Sequence, residues 1–242
     1  MQAIILLGGK GTRLHALHPD KPKALVPIAG RPFLERQIEW LARGGVTDVH
    51  LAAGHLADVL QAWVARKGGD GFRISDFRFR VSLSAEPFPL GTAGGLKFVE
   101  PHIRSNPFLV VNGDSLMPNL DFQSLEKTHR GFSNAWTTIA VAPIEESGRY
   151  GTVEFDEQGH ITAFREKAER KAGWVNGGVY LMAGRALSLI DPGRHLSIET
   201  DLFPRMAARR QLRAFQGPPP LLDMGTPEGI QAMEAWIAAK GA

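Results

Sequence analysis

Apolar residues recur along this chain in two rhythms. From Ala3 to Leu7 every residue is apolar, the pattern of a short central strand covered on both faces. In "RPFLERQIEWLARGG", Leu34, Ile38 and Leu41 recur at helical spacing, with Pro32 at the start and Gly44 and Gly45 past the end, which predicts an amphipathic helix. "DVHLAAG" reads as a second strand and "LADVLQAWVARKGG" as a second helix. "FRVSLSAE" places Phe79, Val81 and Leu83 on alternate positions, as a strand does. A loop, "PFPLGTAGGL", then leads to a buried strand, "FLVVNGD". Strands alternating with helices predict a mostly parallel sheet covered by helices. The elements end in Gly, Asn or Asp at the carboxyl edge, where open α/β sheets bind ligands.

From about Asn134 the rhythm changes to strands in quick succession: "AWTTIAVA", "YGTVEFD", "HITAFREK" and "WVNGGVYLMA". "DEQGH" between two of them has the composition of a hairpin turn. A helix over "ETDLFPRMAA", a strand "LRAFQ" and a closing helix from Pro227 to Lys240 follow. With no internal repeat or low-complexity linker, one domain over residues 1–242 is expected, its second part β-rich.

Composition narrows the function classes. At 242 residues, 43% hydrophobic and 22% charged, the chain has the make-up of an ordinary globular protein with a substantial core. The absence of cysteine excludes disulfides and thiolate metal sites. No stretch approaches about 18 consecutive apolar residues and no basic-plus-apolar leader opens the chain, so no membrane partner and a cytoplasmic location are expected. Net charge is only +3, and even the most basic stretch, "FREKAERK", carries Glu166 and Glu169 among its cations. A nucleic-acid groove favours a one-sided basic stripe with aromatic partners, so no nucleic-acid partner is expected. A small, highly anionic substrate accounts for a few placed cations equally well.

The turn after the first strand, "LLGGKGTRL", is where such a substrate could sit. Glycine-rich turns of this kind hold phosphate through backbone N–H groups and a helix N-terminus. It is not a Walker loop, because Lys10 is followed by Gly11, and it is not a dinucleotide fingerprint, because Leu14 stands where a third small residue belongs. A plain glycine turn is an equally good reading of this stretch alone. "VVNGD" sets Asp114 just past an apolar strand, and "LLDMGTP" sets Asp223 before the last helix. Each suits a turn or a magnesium ion, which takes one or two carboxylates and completes its shell with water and phosphate. "KPKAL" supplies Lys21 and Lys23, and Pro22 and Pro27 stiffen the loop around Lys23. "FREK" ends a strand with Glu166 and Lys167 on opposite faces. "WVNGGVY" offers Asn176 beside bare backbone, suited to a sugar ring or to a glycine bulge with a structural amide. None of the eight histidines is spaced as a zinc pair or a hydrolase triad.

In order, "GGKGTRL", "KPKALVPIAGRP", "PLGTAGG", "VVNGD", "FREK", "WVNGGVY" and "LLDMGTP" resemble the sugar-1-phosphate nucleotidylyltransferases across nearly the whole chain. The resemblance implies an enzyme of the EC 2.7.7 class that joins a nucleoside triphosphate to a sugar 1-phosphate and releases pyrophosphate. It implies an α/β fold, the nucleotide-diphospho-sugar transferase fold: a Rossmann-like, mixed but mostly parallel sheet flanked by helices, with a small β-rich sugar-binding part. The nucleotide-binding half would run over about residues 1–133 and the sugar-binding half over about 134–242. The family's catalytic cations fall on Arg13, Lys23 and Lys167. Nucleotide contacts fall on Leu7, Gly8, Gly9, Gly11 and Thr12, and on Gly91, Thr92 and Gly94 of the "GTAGG" stretch. Sugar contacts fall on Asn112, Gly113, Glu166, Asn176, Gly177 and Glu199, and the two aspartates for Mg²⁺ on Asp114 and Asp223. A homo-oligomer is also implied.

Two positions depart from the family pattern: Ala24 stands where a second proline is common, and Leu7 where a small residue is common. Leu7 is expected to narrow the nucleotide pocket. "SGRYGTVEFDEQGHITAFREK", "GWVNGGVYLM" and "LSIETDLFP" with Glu199 look most like the D-glycero-α-D-manno-heptose 1-phosphate guanylyltransferases, which implies GTP as the nucleotide. Mannose-1-phosphate guanylyltransferases and uridylyl- or thymidylyltransferases of other hexose phosphates share much of this pattern. An inactive, nucleotide-sensing regulatory homologue is the reading of a different class. Such a protein should have lost charged site residues, yet Arg13, Lys23, Asp114, Lys167 and Asp223 are all present.

Overall fold

The computed structural model describes residues 1–9, 20–68, 71–74, 76–145, 151–165 and 172–240. The first strand is β1 (Gln2–Leu7), all of whose residues are buried, the apolar run Ala3–Leu7 together with Gln2. A short hairpin, β2 (Pro27–Ile28) and β3 (Arg31–Pro32), precedes α1 (Phe33–Arg43). Helix α1 buries Phe33, Leu34, Ile38 and Leu41 on one face, and Pro32 and Gly44 bound it as expected. Strand β4 (Asp48–Ala53), helix α2 (Ala57–Arg66), β5 (Phe72–Ile74) and β6 (Phe77–Ala85) follow. Then come α3 (Gly91–Phe98), β7 (Phe108–Asn112), β8 (Ser115–Leu116) and α4 (Phe122–Arg130).

The second rhythm becomes β9 (Thr137–Ile144), β10 (Thr152–Phe155), β11 (Ile161–Arg165) and β12 (Gly173–Met182). A 3-10 stretch (Gly184–Leu189), a π-type turn (Ile198–Leu202) and the short α5 (Phe203–Ala208) lead to β13 (Leu212–Gln216). The chain closes with β14 (Leu222–Asp223) and α6 (Pro227–Lys240). Among the described residues, no helix is long and apolar enough to cross a membrane.

One large sheet runs β11-β10-β12-β7-β1-β4-β6-β5, with β9 beside β12 and β13 beside β9. Strands β7, β1, β4 and β6 are parallel neighbours. Strand β12 reverses direction against β7 and β9, so the alternating half is parallel and the strand-rich half largely antiparallel. Side chains on the two faces of the sheet form two cores. One is built around Ile5, Phe33, Leu34 and Trp63, and the other around Ile4, Phe108, Tyr180 and Phe203.

Two stretches of the chain depart from what their local pattern predicts. The stretch expected as the loop "PFPLGTAGGL" is helical from Gly91 onward. Its glycines permit this because the helix packs backbone to backbone against residues 194–196. A Cβ on Gly94 would fall 2.2 Å from the Arg194 carbonyl oxygen, and one on Gly91, at φ +70°, 2.5 Å from that of Leu196. The pair β8 and β14 was not visible in the sequence, because two-residue strands are too short to show a period. It sets Asp223 opposite Ser115 and Leu222 opposite Leu116.

Candidate active site

The carboxyl ends of β1, β4 and β7 open onto a cleft of about 690 Å³. Its lining gathers Leu7, Gly8 and Gly9 after β1, Lys23 from the proline-flanked turn, Gly91 and Thr92 at the start of α3, Asn112, Gly113 and Asp114 after β7, and Asp223. Residues separated by more than a hundred positions meet because their strands end at one edge of one sheet.

Asp114 and Asp223 are held by the β8–β14 ribbon. The Met224 N–H donates to the Asp114 carbonyl at 3.0 Å, which locks the ribbon just below both carboxylates. On the other side, the buried Gln37 of α1 donates its side-chain amide to the Asn112 carbonyl at 2.8 Å and to the Ser115 carbonyl at 2.9 Å. The turn carrying Gly113 and Asp114 is thus tied to the helix beneath it. The Lys23 Nζ lies 2.6 Å from Asp114 Oδ2, and the Ser115 hydroxyl donates to Oδ1 of the same carboxylate at 3.2 Å. Asp223 Oδ1 accepts the Gly225 N–H at 2.5 Å, which fixes its rotamer at the start of the loop into α6. Lys23 follows Pro22 in a single 3-10 turn, so its aim is set by backbone, as the flanking prolines suggested.

Leu7 lines the cleft, and its side chain occupies the space in front of Gly113. A Cβ there would sit 2.2 Å from Leu7 Cδ2. At Gly9, by contrast, an added Cβ would meet nothing within 4 Å. Thr92 turns its hydroxyl to the chain, accepting the Ile198 N–H at 2.8 Å. Gly94 lies in the helix packed on Arg194 rather than among the cleft-lining residues.

Asn176, Gly177 and Glu199 are not part of the cleft lining, but Tyr180 joins them to it, its hydroxyl meeting both Asn176 and the cleft-lining Asn112. The Asn176 amide donates to the Tyr180 hydroxyl at 2.9 Å and to Glu199 Oε1 at 3.0 Å, and its oxygen accepts the Gly178 N–H at 2.9 Å. Gly177 is pressed between Met117 and the Ala140 carbonyl, leaving no room for a Cβ. Burial, with the Glu199 charge nearby, holds the Tyr180 phenol well above its usual range, so it stays neutral. Lys10, Gly11, Thr12, Arg13, Glu166 and Lys167 lie outside the described residues.

Sequence reasoning missed Glu86, His55 and His195, which also line the cleft. Glu86 Oε2 accepts the Leu90 N–H at 3.1 Å, while Oε1 faces Gly8 and Gly95. Burial pushes the Glu86 carboxyl up, with the Leu90 N–H and His195 opposing. It stands just past β6, at the same edge as Asp114, a place it shares with other strand-end acids.

The donor set fits a hard divalent cation: two carboxylates on one ribbon at the edge of the cleft. Among the described residues there is no group of three or more His, Asp or Glu side chains suited to enclosing a metal. An ion here would need oxygen ligands from a substrate or water.

A parallel α/β sheet with an acid- and lysine-lined cleft at its carboxyl edge places a ligand site where open α/β sheets hold theirs. Residues 2–238 match the family model described as nucleotidyl transferase, and the chain belongs to that family. It is 34% identical over 232 residues to mannose-1-phosphate guanyltransferase beta-A of Xenopus laevis, with 94% of this chain and 62% of that protein covered. It is 32% identical over 231 residues to mannose-1-phosphate guanylyltransferase of Mycobacterium tuberculosis, with the same coverage of 94% and 62%. The chain therefore spans about 62% of the length of these curated relatives. The crystal structure of HddC from Yersinia pseudotuberculosis superposes with a TM-score of 0.83 at 26% identity, covering 98% of this chain and 99% of that one. The same protein complexed with GMP-PN superposes with a TM-score of 0.82 at 27% identity, with coverage of 98% and 99%.

Proposed function

We propose that the chain transfers a nucleotidyl group from a nucleoside triphosphate to a sugar 1-phosphate, yielding a nucleotide sugar and pyrophosphate, as a cytoplasmic enzyme. The observation that carries this reading is the meeting of Lys23, Asp114 and Asp223 around one cleft at the carboxyl edge of the sheet. A phosphate oxygen of the sugar 1-phosphate attacks the α-phosphorus; the bond from that phosphorus to the oxygen bridging to the β-phosphate breaks, and pyrophosphate carries away the electron pair. Positioning and charge neutralisation dominate such a transfer, and no covalent enzyme intermediate is needed.

Lys23 neutralises charge on the transferring group from its proline-set turn. Gly8 and Gly9 leave backbone room for phosphate, and Gly91 and Thr92 border the nucleotide. Asp114 and Asp223 would hold Mg²⁺, which supplies charge neutralisation to the phosphates when bound. By the family resemblance, Gly11, Thr12 and Arg13 extend the phosphate turn, Glu166 contacts the sugar and Lys167 aims the nucleophile. Asn176, Gly177 and Glu199 would shape the sugar side, with Asn112 and Gly113 between the two substrates.

GTP is the proposed nucleotide. It is supported by the guanylyltransferase relatives. D-glycero-α-D-manno-heptose 1-phosphate is the proposed sugar, on the motifs around Asn176 and Glu199. Mannose 1-phosphate is the second reading, favoured by the relatives at 34% identity.

Pyrophosphate release tests both. Four nucleoside triphosphates are each paired with heptose, mannose, glucose and N-acetylhexosamine 1-phosphates in the presence of Mg²⁺. Release confined to GTP with heptose phosphate is expected. Release with mannose phosphate instead selects the second reading, and no release from any pairing by folded protein overturns the function.

A further inference from the structure

The hairpin of β10 and β11 and the neighbouring strand β13 hold a group of cations that takes no part in lining the cleft. Arg213 of β13 is buried, with 3% of its surface exposed. Its Nη1 donates to His160 Nε2 at 3.2 Å, and its Nε–H is buried with no acceptor among the described residues. Arg210, with 58% of its side chain exposed, approaches the other ring nitrogen of His160 at 2.8 Å.

Among the described residues, the carboxylate in contact with this group is that of Asp156. Its Oδ1 accepts the His160 N–H at 2.9 Å, and its Oδ2 accepts from Arg210 Nη2 at 3.0 Å and lies 3.3 Å from His160 Nδ1. Burial, with Arg210 nearby, holds the Arg213 guanidinium below its usual range, although Asp156 opposes this. Two guanidinium groups thus share one carboxylate, and the deeper of the two has no ion pair among the described residues. A buried cation without a direct counter-ion is costly.

A phenyl ring closes the guanidinium in. Phe132, in the loop after α4, sets its ring centroid 3.1 Å from the Arg213 guanidinium carbon, and 39% of its own surface is exposed. On the hairpin side the packing is tight: a Cβ on Gly159 would fall 3.2 Å from Arg213 Nη2. Phe132 is therefore the cover that side-chain rotation can move, and it offers the cation only the attraction of its π face.

We propose that Arg210 and Arg213 form a binding site for one small oxyanion of the phosphate type, with Phe132 as its lid. The forked N–H donors of a guanidinium match such an ion. With the ring turned out, the ion accepts from the Arg213 Nε–H and from Arg210, and the buried charge gains its missing partner. The space of one phenyl ring admits a single tetrahedral ion, which sets the size class. This site stands apart from the transferase reading, because it requires neither turnover nor the cleft.

The arginine Nε–H signals of the isotope-labelled chain are followed by NMR while inorganic phosphate is added, with chloride at equal ionic strength as reference. Arg213→Lys identifies the Arg213 signal by removing it. A saturable shift of that signal is expected, with affinity about tenfold higher in Phe132→Ala, which takes the lid away, and about tenfold lower again when Arg210→Gln is added to it. Lys23→Met should leave the shift unchanged. Should Arg213→Lys fail to fold, the signal is the one that Phe132→Ala moves, and the comparison with and without Arg210→Gln decides, because Phe132 and Arg210 are exposed side chains. Absence of a saturable shift in Phe132→Ala overturns the site. So does an equal shift with chloride, an affinity that Arg210→Gln leaves as it was, or a shift lost with Lys23→Met, which would place the ion in the cleft. An affinity that does not rise in Phe132→Ala overturns the lid.

Discussion

Two clusters of the chain carry the same kind of sequence signal, a polar residue beside glycine at a strand, yet they are built differently. Around Asp114, Gly113 admits the Leu7 side chain, and the carboxylate stands at the cleft with 38% of its side chain exposed, held by Lys23. Around Asn176, Gly177 admits Met117 and the Ala140 carbonyl, and the amide is engaged by Tyr180, Glu199 and Gly178. The first arrangement sets a carboxylate directly in the cleft lining; the second joins an amide to an exposed carboxylate and a buried phenol beside it. Asp114 therefore meets a ligand in the cleft directly, whereas Asn176 is linked to the cleft through Tyr180 and Asn112.

The largest effect expected from this contrast is that of Asp114→Ala. Pyrophosphate release should fall about 10³-fold, the upper range for losing one preorganised electrostatic contact. The melting temperature should move little, because partly exposed ion pairs add about 0–1 kcal/mol. A melting transition that collapses with the activity would make the pair structural and erase the contrast.

Lys23→Met comes next, with kcat lowered about 10²-fold. KM for the nucleotide should rise by less than the fall in kcat, since the cation acts on charge that develops during transfer. Initial-rate kinetics over both substrates separate the two. A change confined to KM would reduce Lys23 to a ground-state contact.

A pH titration of stability sets these exposed charges against groups buried elsewhere. His50 is held down to about 4 by burial, with His102 and Arg104 adding repulsion. Burial, with Arg130 and Arg185 nearby, likewise lowers His129 to about 4. Below about pH 6.5 the unfolded chain binds protons that the folded chain refuses, so stability falls as pH drops from 6.5 toward 4. The slope is at most about 1.4 kcal/mol per pH unit for each histidine. Urea unfolding at stepped pH measures it, and His50→Asn should flatten it.

The smallest effect is expected at Asn176. Asn176→Ala should cost about 1 kcal/mol of stability by weakening the Tyr180 and Glu199 contacts. An unchanged unfolding curve with a large rise in KM for the sugar phosphate would show that this cluster, too, works as an open ligand site.

How legible the fold was depended on element length. Strand β1 and helix α1 announced themselves because a buried run and a helical stripe each extend over enough residues to show a period. Ribbon β8–β14 and the helical conformation of "GTAGG" did not, because neither is encoded by local preference. The first is held by the Met224 N–H on the Asp114 carbonyl, and the second by glycines that let α3 meet residues 194–196. In the candidate site, Asp114, Asp223 and Lys23 were legible as turn-borne charged residues in motif context. Glu86 was not, because only its position over Gly8 and Gly95 distinguishes it from any other acid at a strand end.

By itself, the sequence determined the family, the alternation that lays down a parallel sheet, and the supply of acids, lysines and glycines at the strand ends. Those are properties of residue type and spacing, which a linear pattern carries in full. Tertiary structure decided that Asp114 meets Lys23 and shares a ribbon with Asp223. It also decided that Asn176 turns to Tyr180 and Glu199. Each depends on which distant side chain fills the space in front of a given backbone, and packing in three dimensions alone settles that.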